Sequence, residues 1–598
     1  HTYINGLPGI SKFSGHTINT NNHSYKSILT DGKLNVTSTK IELDSAADQY
    51  NKIQMANEVV TIGNTTNVTG NVSSATIKGQ GLSMGSLKTA TSNATTGFNN
   101  EGTISVTGGT ATSGIAGMNV SYGTINNGTS AGSSASVTID NGAGLYGTNG
   151  SKLVNNGKIT VASGAGIAGI GTGRTKQEYG TDVKTSASLG GTKTVEIENH
   201  GTINAAGTGS IGIYAENNTN APKANVTVSS DKQLTVGTDG VGIAVVSATP
   251  APMLVNHGTS DEGGTITVTA AGTGPDIKTG VNGKGIYAQN SDITLTGNYI
   301  IETPEKGIGI FASKNTNVTG TLEYKYNGST TGTGMGIIYD QAGVASHTNN
   351  ANVKLTNATN TTGGMIGVYT TAGTGNTLTN NGDITGSSTA LEFGIVSDGA
   401  DVVNKKTITL GNAASQANAN VGIYAKANNT ITNDTTGTIN VGDNAIGIYG
   451  YNVKNNKDIK AGDNGVAIYT QGTPLTTVDL NSGSTITVGK NQAVGVYAVG
   501  SGQNINANAG SSMTIGDNSF GIVNVGSGNT VTSNTTNPVT LGTDAVYIYQ
   551  NDSTGHVFNY TPLTSTGDRN YGLYGNGTID NNAVINFTTG NGNVGMYA

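Results

Sequence analysis

The stretch TINVGDNAIGIYG at residues 438–450 decides the fold of this chain, because close copies of it recur along the sequence. Residues 485–498 read TITVGKNQAVGVYA, and residues 538–550 read PVTLGTDAVYIYQ. Each copy joins two short runs rich in β-branched residues through a Gly. Regular internal repetition of such a unit is the sequence signature of a solenoid.

The second run of each copy follows one pattern: an aliphatic residue, Gly, an aliphatic residue and then usually Tyr. Between Tyr287 and Tyr597 the fourth position recurs every ~26 residues on average, a period typical of solenoid repeats. The residues that we assign to this fourth position are Tyr146, Ala168, Tyr214, Ala244, Tyr287, Phe311, Tyr339, Tyr369, Val396, Tyr424, Tyr449, Tyr469, Tyr497, Val523, Tyr549, Tyr574 and Tyr597.

Two kinds of turn signal flank these runs. A Gly precedes many of the fourth positions at a nearly fixed distance, as Gly442 precedes Tyr449. An Asn-rich segment lies further upstream, as in VNNGKITV at residues 154–161 and LTNNGDIT at residues 378–385. Asn and Gly tolerate the positive φ values that tight corners need. Each unit is therefore predicted to contain a turn, a strand, a Gly corner, a second strand and a variable return.

Period-two alternation along a strand predicts which side chains are buried. In NVGIYA, Val421, Ile423 and Ala425 share one face, and Gly422 and Tyr424 share the other. The aliphatic face must line the interior, so the Tyr rings are predicted to point outward and to stack at roughly 4.8 Å per coil. The fold class predicted is all-β: a right-handed parallel β-helix, extended as a rod.

The repeat is interrupted in three places. Residues 1–60 lack the period and are predicted to form an atypical N-terminal cap or head region, which covers the open edge of the stack or binds a ligand. Residues 61–598 are predicted to form the β-helix, with insertions near 172–193 and 246–284. Insertions in solenoids form loops that often lie on the binding face; simple solvated loops are the alternative.

Composition excludes several classes of function. The chain of 598 residues has no Cys and a formal net charge of −7. It lacks a basic stripe that would attract nucleic acid, and it has no run of roughly 18 apolar residues that could span a bilayer. Disulfides and thiolate metal sites are excluded by the absence of Cys. Because the chain opens at His1 without a signal-like stretch, we expect it to be a mature or excised piece.

Motifs for catalysis and metal binding are weak. The G-x-G-x-x-G match at Gly164, Gly166 and Gly169 lacks the βαβ context of a dinucleotide site. Corner acids such as Asp443 recur, but an Asp at a turn ordinarily accepts hydrogen bonds from backbone amides, and the calcium-binding nonapeptide is missing. We find no H-E-x-x-H motif. The G-x-S-x-G matches at residues 81–85 and 128–132 lack the strand-to-helix context of a nucleophile elbow. We therefore expect no enzymatic activity, no cofactor and no metal, with calcium binding and carbohydrate cleavage as weaker alternatives.

Two groups of residues are candidates for ligand binding. One lies in the insertion near 172–193, where charges gather in a chain that is otherwise poor in them. The other lies where a Tyr replaces the usual Gly beside the ladder Tyr. Outward rings can stack on sugars or be buried against a protein partner, although they can also simply stabilise neighbouring strands. The candidates are Arg174, Lys176, Glu178, Tyr179, Tyr547 and Tyr549.

An NNGTI-like turn followed by a VGIYA-like strand resembles the passenger repeats of bacterial type V autotransporters, in particular the large fusobacterial autotransporter adhesins, over roughly residues 100–598. The resemblance implies secretion through an outer-membrane translocator barrel outside this chain, and display at the bacterial cell surface. It implies a monomeric adhesin that binds a host-cell or bacterial surface receptor, either glycan or protein. The alternatives are a β-helical polysaccharide-acting enzyme and a structural spacer for a binding domain elsewhere.

Overall fold

The computed structural model is built almost entirely of strands. It divides into two units, His1–Gly320 and Thr321–Ala598, called unit 1 and unit 2 below. Within the described residues, helical structure is limited to the 3-10 turns Lys223–Asn225 and Gln416–Asn418. The predicted cap at 1–60 and the insertion near 172–193 lie outside these residues. The described residues are 99–105, 116–118, 124–147, 151–170, 195–217, 223–247, 263–340, 346–358, 361–387, 390–472 and 475–598.

Each coil contributes strands to three parallel sheets. We name them the Asn sheet, whose strands end at the Asn-rich turn, the Thr sheet, whose strands lead to the Gly corner, and the Tyr sheet, formed by the VGIYA-type strands. In one coil these are Thr430–Asn433, Thr438–Asn440 and Ile446–Gly450, in that order. Each strand pairs in parallel with its counterpart in the next coil. The predicted parallel β-helix is confirmed, and its hand stays a prediction.

In unit 1 three long strands pass from one sheet into the next. Ser136–Thr148 and Lys158–Gly171 contribute to the Thr and Tyr sheets, and Asp292–Thr303 contributes to the Asn and Thr sheets. The other Tyr-sheet strands are Ile115–Ser121, Ile211–Asn217, Val241–Ser247, Lys284–Gln289 and Gly307–Ser313. The Asn-sheet strands include Gly97–Asn100, Thr124–Asn127, Lys152–Asn155, Val195–Asn199, Val226–Ser230 and Thr265–Thr269. The Thr-sheet strands include Thr103–Thr107, Thr202–Ala205, Leu234–Val236 and Ile277–Lys278.

Unit 2 has the same three sheets, and Ser346–Asn357 contributes to both the Asn and Thr sheets. The Tyr-sheet strands are Gly334–Asp340, Met365–Thr370, Glu392–Ser397, Val421–Ala425, Ile446–Gly450, Val466–Gly472, Val494–Ser501, Phe520–Ser527, Val546–Asn551, Tyr571–Gly575 and Val594–Tyr597. The Asn-sheet strands are Thr377–Asn380, Asp401–Asn404, Thr430–Asn433, Asn452–Asn455, Thr477–Leu480, Asn504–Ala507, Thr530–Ser533, His556–Asn559 and Thr578–Asn581. The Thr-sheet strands are Ile384–Thr385, Thr407–Thr409, Thr438–Asn440, Asp458–Ala461, Thr485–Val488, Ser512–Ile515, Val539–Leu541, Leu563–Ser565 and Ile585–Asn586.

The stretch 246–284, predicted to be an insertion, contains regular strands of unit 1. Thr265–Thr269 pairs with Val226–Ser230 in the Asn sheet, and Ile277–Lys278 pairs with Leu234–Val236 in the Thr sheet. Their inward residues Ile266 and Ile277 have no exposed surface. Much of this stretch therefore belongs to a coil, while residues 248–262 lie outside the described part of the chain.

The interior is filled by ladders of aliphatic residues. In the coil around Tyr449, Ile431 of the Asn sheet, Ile439 of the Thr sheet and Ile448 of the Tyr sheet are all completely buried. Burying one such side chain contributes about 1.5–3 kcal/mol relative to leaving it exposed. Because every coil repeats this set, the stability of each unit arises mainly from contacts between neighbouring coils.

The alternation of side chains breaks at the Gly of the Tyr-sheet strands. The register of paired strands skips Gly447, while Ile446 and Ile448 pair with their counterparts in the next coil. A Cβ on Gly447 would lie 2.7 Å from Ile459 Cγ2, so this position faces the interior, as the following Ile448 does. Ile446 lies on the outer face instead. The prediction that placed Gly422, the equivalent Gly, on the outer face is therefore wrong.

The Asn-rich turns are held by a buried ladder of side-chain amides. In unit 2 the Nδ2 of Asn380 donates to Asn404 Oδ1 at 2.9 Å, and Asn404 donates to Asn433 at 3.0 Å. Asn433 then donates to Asn455 at 2.9 Å, and all four residues have no exposed surface. Their φ angles are not positive; positive values occur at the Gly corner, for example 57° at Asn444. The predicted reason for Asn in these turns was wrong, because the side-chain amide and not the backbone requires it.

Most outer Tyr rings of unit 2 stack as predicted. The centroids of Tyr424 and Tyr449 are 4.9 Å apart, and those of Tyr449 and Tyr469 are 5.0 Å apart. Tyr339 is an exception: the register pairs Tyr369 with Ile338, so Ile338 occupies the fourth position and our assignment of Tyr339 was one residue off. Tyr339 is completely buried, and its hydroxyl donates to Asn349 Oδ1 at 2.6 Å.

Candidate ligand-binding groove

The structure describes two of the six residues that the sequence analysis named as candidates for ligand binding. Arg174, Lys176, Glu178 and Tyr179 lie outside the described residues. Tyr547 and Tyr549 belong to one strand but face opposite sides of it.

Tyr547 is not on the outer face. It occupies the inward position that Gly fills in most coils, and it has no exposed surface. Its hydroxyl lies 2.6 Å from Ser533 Oγ, which satisfies a polar group that would otherwise be costly to bury. A ligand at the surface cannot reach Tyr547, whereas Tyr549 is half-buried on the outer face.

A groove of about 550 Å³ runs over the outer face of the Tyr sheet in unit 2; we call it the Tyr groove. Its floor consists of two columns, one formed by the residues before the recurring Gly and one by the fourth position of the pattern. The first column is Ile446, Val466, Val494 and Phe520, and the second is Tyr469, Tyr497, Val523 and Tyr549. The remaining lining residues are Gln416, Ala419, Asn444, Ala445, Asn464, Gln492, Val525 and Asn551.

The Gly corner forms one wall of the Tyr groove. Asn464 and Gln492 take left-handed φ values of 54° and 67° there. The corner acids join successive coils: the Asp463 N–H donates to Asp443 Oδ1 at 2.8 Å, and the Lys490 N–H donates to Asp463 Oδ1 at 2.8 Å. These carboxylates accept backbone hydrogen bonds, as a turn Asp ordinarily does. Within the described ranges, no cluster of three or more His, Asp or Glu side chains could hold a metal ion.

A short excursion of the chain closes one end of the Tyr groove. The 3-10 turn Gln416–Asn418 begins at Ser415, whose hydroxyl accepts a hydrogen bond from the Asn418 N–H at 3.3 Å. The Nε2 of Gln416 donates to the backbone oxygen of Asn464 at 2.9 Å and to its Oδ1 at 2.7 Å. These bonds hold the turn against a corner that lies two coils further along the sequence.

The stack of Tyr rings is interrupted within the Tyr groove. Tyr469 and Tyr497 stack at 5.3 Å, and Tyr549 and Tyr574 stack at 5.3 Å. Val523 lies between these two pairs, in register with Tyr497 on one side and Tyr549 on the other. One ring position of the stack is therefore unfilled above Val523, which lines the Tyr groove and is 5% exposed; we call this position the opening.

A second interruption of the ring stack, at Val396, is covered by the protein itself. Lys426 extends across it and places Nζ 4.8 Å from the centroid of the Tyr369 ring. The same Nζ lies 3.0 Å from the Tyr369 hydroxyl and 3.2 Å from Asp398 Oδ1. The two interruptions therefore differ in their surroundings: Lys426 crosses the one at Val396, and the one at Val523 lines the Tyr groove.

The Tyr groove is electrically neutral. None of the residues that line it is Asp, Glu, Lys, Arg or His. Burial, together with the neighbouring rings of Tyr469 and Tyr549, raises the pKa of Tyr497, so its phenol is uncharged at physiological pH. The exposed side chains of Gln492 and Asn551 have no hydrogen-bond partner in the described part of the chain. The groove thus combines ring faces with amides and hydroxyls that can both donate and accept.

Among the described residues of unit 1, a charge cluster lies on the outer side of the Asn sheet. Lys152 Nζ is 3.5 Å from Glu196 and 3.3 Å from Glu198. His200 Nδ1 lies 2.9 Å from Asp231 Oδ2. The cluster links three successive strands, and exposed ion pairs of this kind contribute only about 0–1 kcal/mol each. It forms a bridge between coils.

No family model, curated protein or solved structure matches this chain. In the described part of the chain, no helix has the length and apolar character needed to cross a membrane.

Several residues of the Tyr groove were missed by sequence reasoning. Phe520, Val494 and Val466 precede the recurring Gly and were expected to lie inside. A signal for them exists: where Val replaces Tyr at 396 and 523, Phe stands three residues earlier, at 393 and 520. The rings of Phe520 and Tyr549 pack edge to face with their centroids 6.1 Å apart, so the two columns share one surface.

Proposed function

We propose that this chain is the binding part of a bacterial cell-surface adhesin, and that the Tyr groove holds a receptor on a host or bacterial cell. Display at the outer membrane and export through a translocator barrel outside this chain are part of the proposal. The observation that carries it is an open, neutral groove floored by two columns of apolar and aromatic side chains. Concave sites lined mainly by apolar and aromatic side chains with a few polar groups are typical of ligand binding, and aromatic residues contribute strongly to binding energy.

The solenoid suits this role because its coils repeat the same geometry. Tyr469, Tyr497 and Tyr549 are held by strand pairing and not by flexible loops. A receptor therefore meets rings that are already ordered, and little conformational entropy is lost on binding.

Cell binding by the purified chain tests the proposal. We expect saturable binding to mammalian or bacterial cells and its loss in Val466→Lys, which places a charge in the first column. The matched control is Val241→Lys at the same strand position of unit 1. Lys284 occupies this position naturally in its own coil, so a Lys there is compatible with the fold.

Binding by wild type and Val241→Lys but not by Val466→Lys would support the proposal. Equal loss of cell binding in both variants would show that the Tyr groove is not the receptor-binding site. Absence of binding to every cell type would contradict the adhesin function and favour a structural spacer.

A further inference from the structure

The interruption at Val523 spans one coil, so a single ring is missing from the stack there. Val523 pairs with Tyr497 in one direction and with Tyr549 in the other. Neighbouring parallel strands lie about 4.8 Å apart, so these two Tyr positions are separated by roughly 9.6 Å. Rings elsewhere in the stack lie 4.9–5.4 Å apart, and one further ring between Tyr497 and Tyr549 would continue the same spacing.

The opening has a floor and a side wall. Val523 is 5% exposed and forms the floor. Phe520, from the first column of the same coil, closes one side, where its ring packs edge to face with that of Tyr549. The comparable interruption at Val396 is occupied by Lys426, whereas no charged side chain lines the opening at Val523.

The chemistry around the opening matches an uncharged, hydroxyl-rich ligand. The faces of Tyr497 and Tyr549 offer π surfaces on which the C–H groups of a sugar ring can stack. The free amides of Gln492 and Asn551 lie at the rim, and each can donate to one hydroxyl and accept from another. A charged ligand would find no opposite charge there.

We propose that the opening between Tyr497 and Tyr549 holds one pyranose ring of a neutral glycan, with Val523 beneath it. This inference rests on the proposed function, since it names the ligand chemistry of the same groove.

The decisive variant is Val523→Tyr, which fills the opening with a ring of the protein. It is expected to fold, because the same position carries Tyr at 449, 469, 497, 549 and 574. The control is Val396→Tyr, which adds the same side chain at the interruption outside the Tyr groove. Circular dichroism and thermal melting of the full chain verify that both variants are folded.

The probes are neutral gluco-, galacto- and manno-configured tetrasaccharides, together with sulfated forms of the same sugars, titrated calorimetrically into the full chain. We expect at least one neutral probe to bind the wild type, with affinity reduced at least about tenfold in Val523→Tyr and unchanged in Val396→Tyr. Unchanged affinity in Val523→Tyr, preference for sulfated probes, or no binding of any neutral probe would overturn the inference.

The two proposals fail separately. Cell binding that is lost in Val466→Lys, without binding of any neutral sugar, would retain the adhesin and reject the glycan. Sugar binding that is lost in Val523→Tyr, without attachment to any cell, would retain the glycan site and reject the adhesin.

Discussion

Glu392 is a carboxylic acid in the interior of unit 2, with no exposed surface. Its Oε1 accepts a hydrogen bond from the Ser387 N–H at 2.8 Å and another from the Ser387 hydroxyl. Its Oε2 has no partner among the described residues. Burial raises the pKa of Glu392 from an ordinary value of 4.5 to about 7, against the lowering effect of these hydrogen bonds.

The raised pKa of Glu392 predicts a pH-dependent stability. The folded state holds this proton more tightly than the unfolded state does, so its contribution is complete below pH 4.5 and is lost as pH rises through about 7. Glu392→Gln should remove that dependence and raise the melting temperature at pH 8 relative to wild type. A shift of this size corresponds to on the order of 3 kcal/mol. If the difference in melting temperature between the two proteins stayed constant from pH 4.5 to 8, the raised pKa of Glu392 would be contradicted.

The Asn ladder predicts a large effect from one buried amide. Asn433→Ala removes the acceptor of Asn404 and the donor to Asn455, which leaves buried polar groups unpaired. We expect a loss of about 2–3 kcal/mol in local stability, measured by hydrogen exchange of the amides in residues 401–458. Thr432→Ala, at the neighbouring half-buried position, should change exchange little. Equal effects of the two substitutions would contradict the ladder.

At the scale of the strand, the recurring Gly of the Tyr sheet decides which side chains reach the surface. A Gly has no side chain, so alternation gives no direct sign of the face to which it belongs. Two coils carry another residue at this position, Ala467 in one and Tyr547 in the other. Both residues are completely buried, which shows that the position faces the interior. Because the Gly position faces inward, the residue before it and the fourth residue of the pattern both face outward, and these two positions form the two columns of the Tyr groove.

The opposite orientations of Tyr547 and Tyr549 predict unequal effects on stability. Tyr547→Ala empties a buried site and should cost about 3–5 kcal/mol. Tyr549→Ala removes an outer ring that stacks on Tyr574 and should cost closer to ~1 kcal/mol. Chemical denaturation of both variants provides the comparison. A larger cost for Tyr549→Ala would contradict the assigned orientations.

At the scale of the whole molecule, the repeat predicted most of the fold and little of the site. The parallel sheets, the aliphatic interior and the outer ring stack follow from spacing alone, because every coil repeats them. The Tyr groove depends on a missing ring at Val523, and the covered interruption depends on Lys426, which reaches across to Tyr369. Both features depend on which residues of neighbouring coils lie side by side. The sequence pattern of one repeat does not specify this register.

Hydroxyl-radical labelling of tyrosines, in the free full chain and in the chain bound to receptor-bearing cells, tests directly whether the Tyr groove binds the receptor. Tyr497 and Tyr549 line the Tyr groove, whereas Tyr287 belongs to the Tyr sheet of unit 1 and stacks on Phe311. If the groove binds the receptor, labelling of Tyr497 and Tyr549 falls on cell binding while that of Tyr287 is unchanged. Unchanged labelling of the two groove tyrosines on cells that retain the protein would contradict the account.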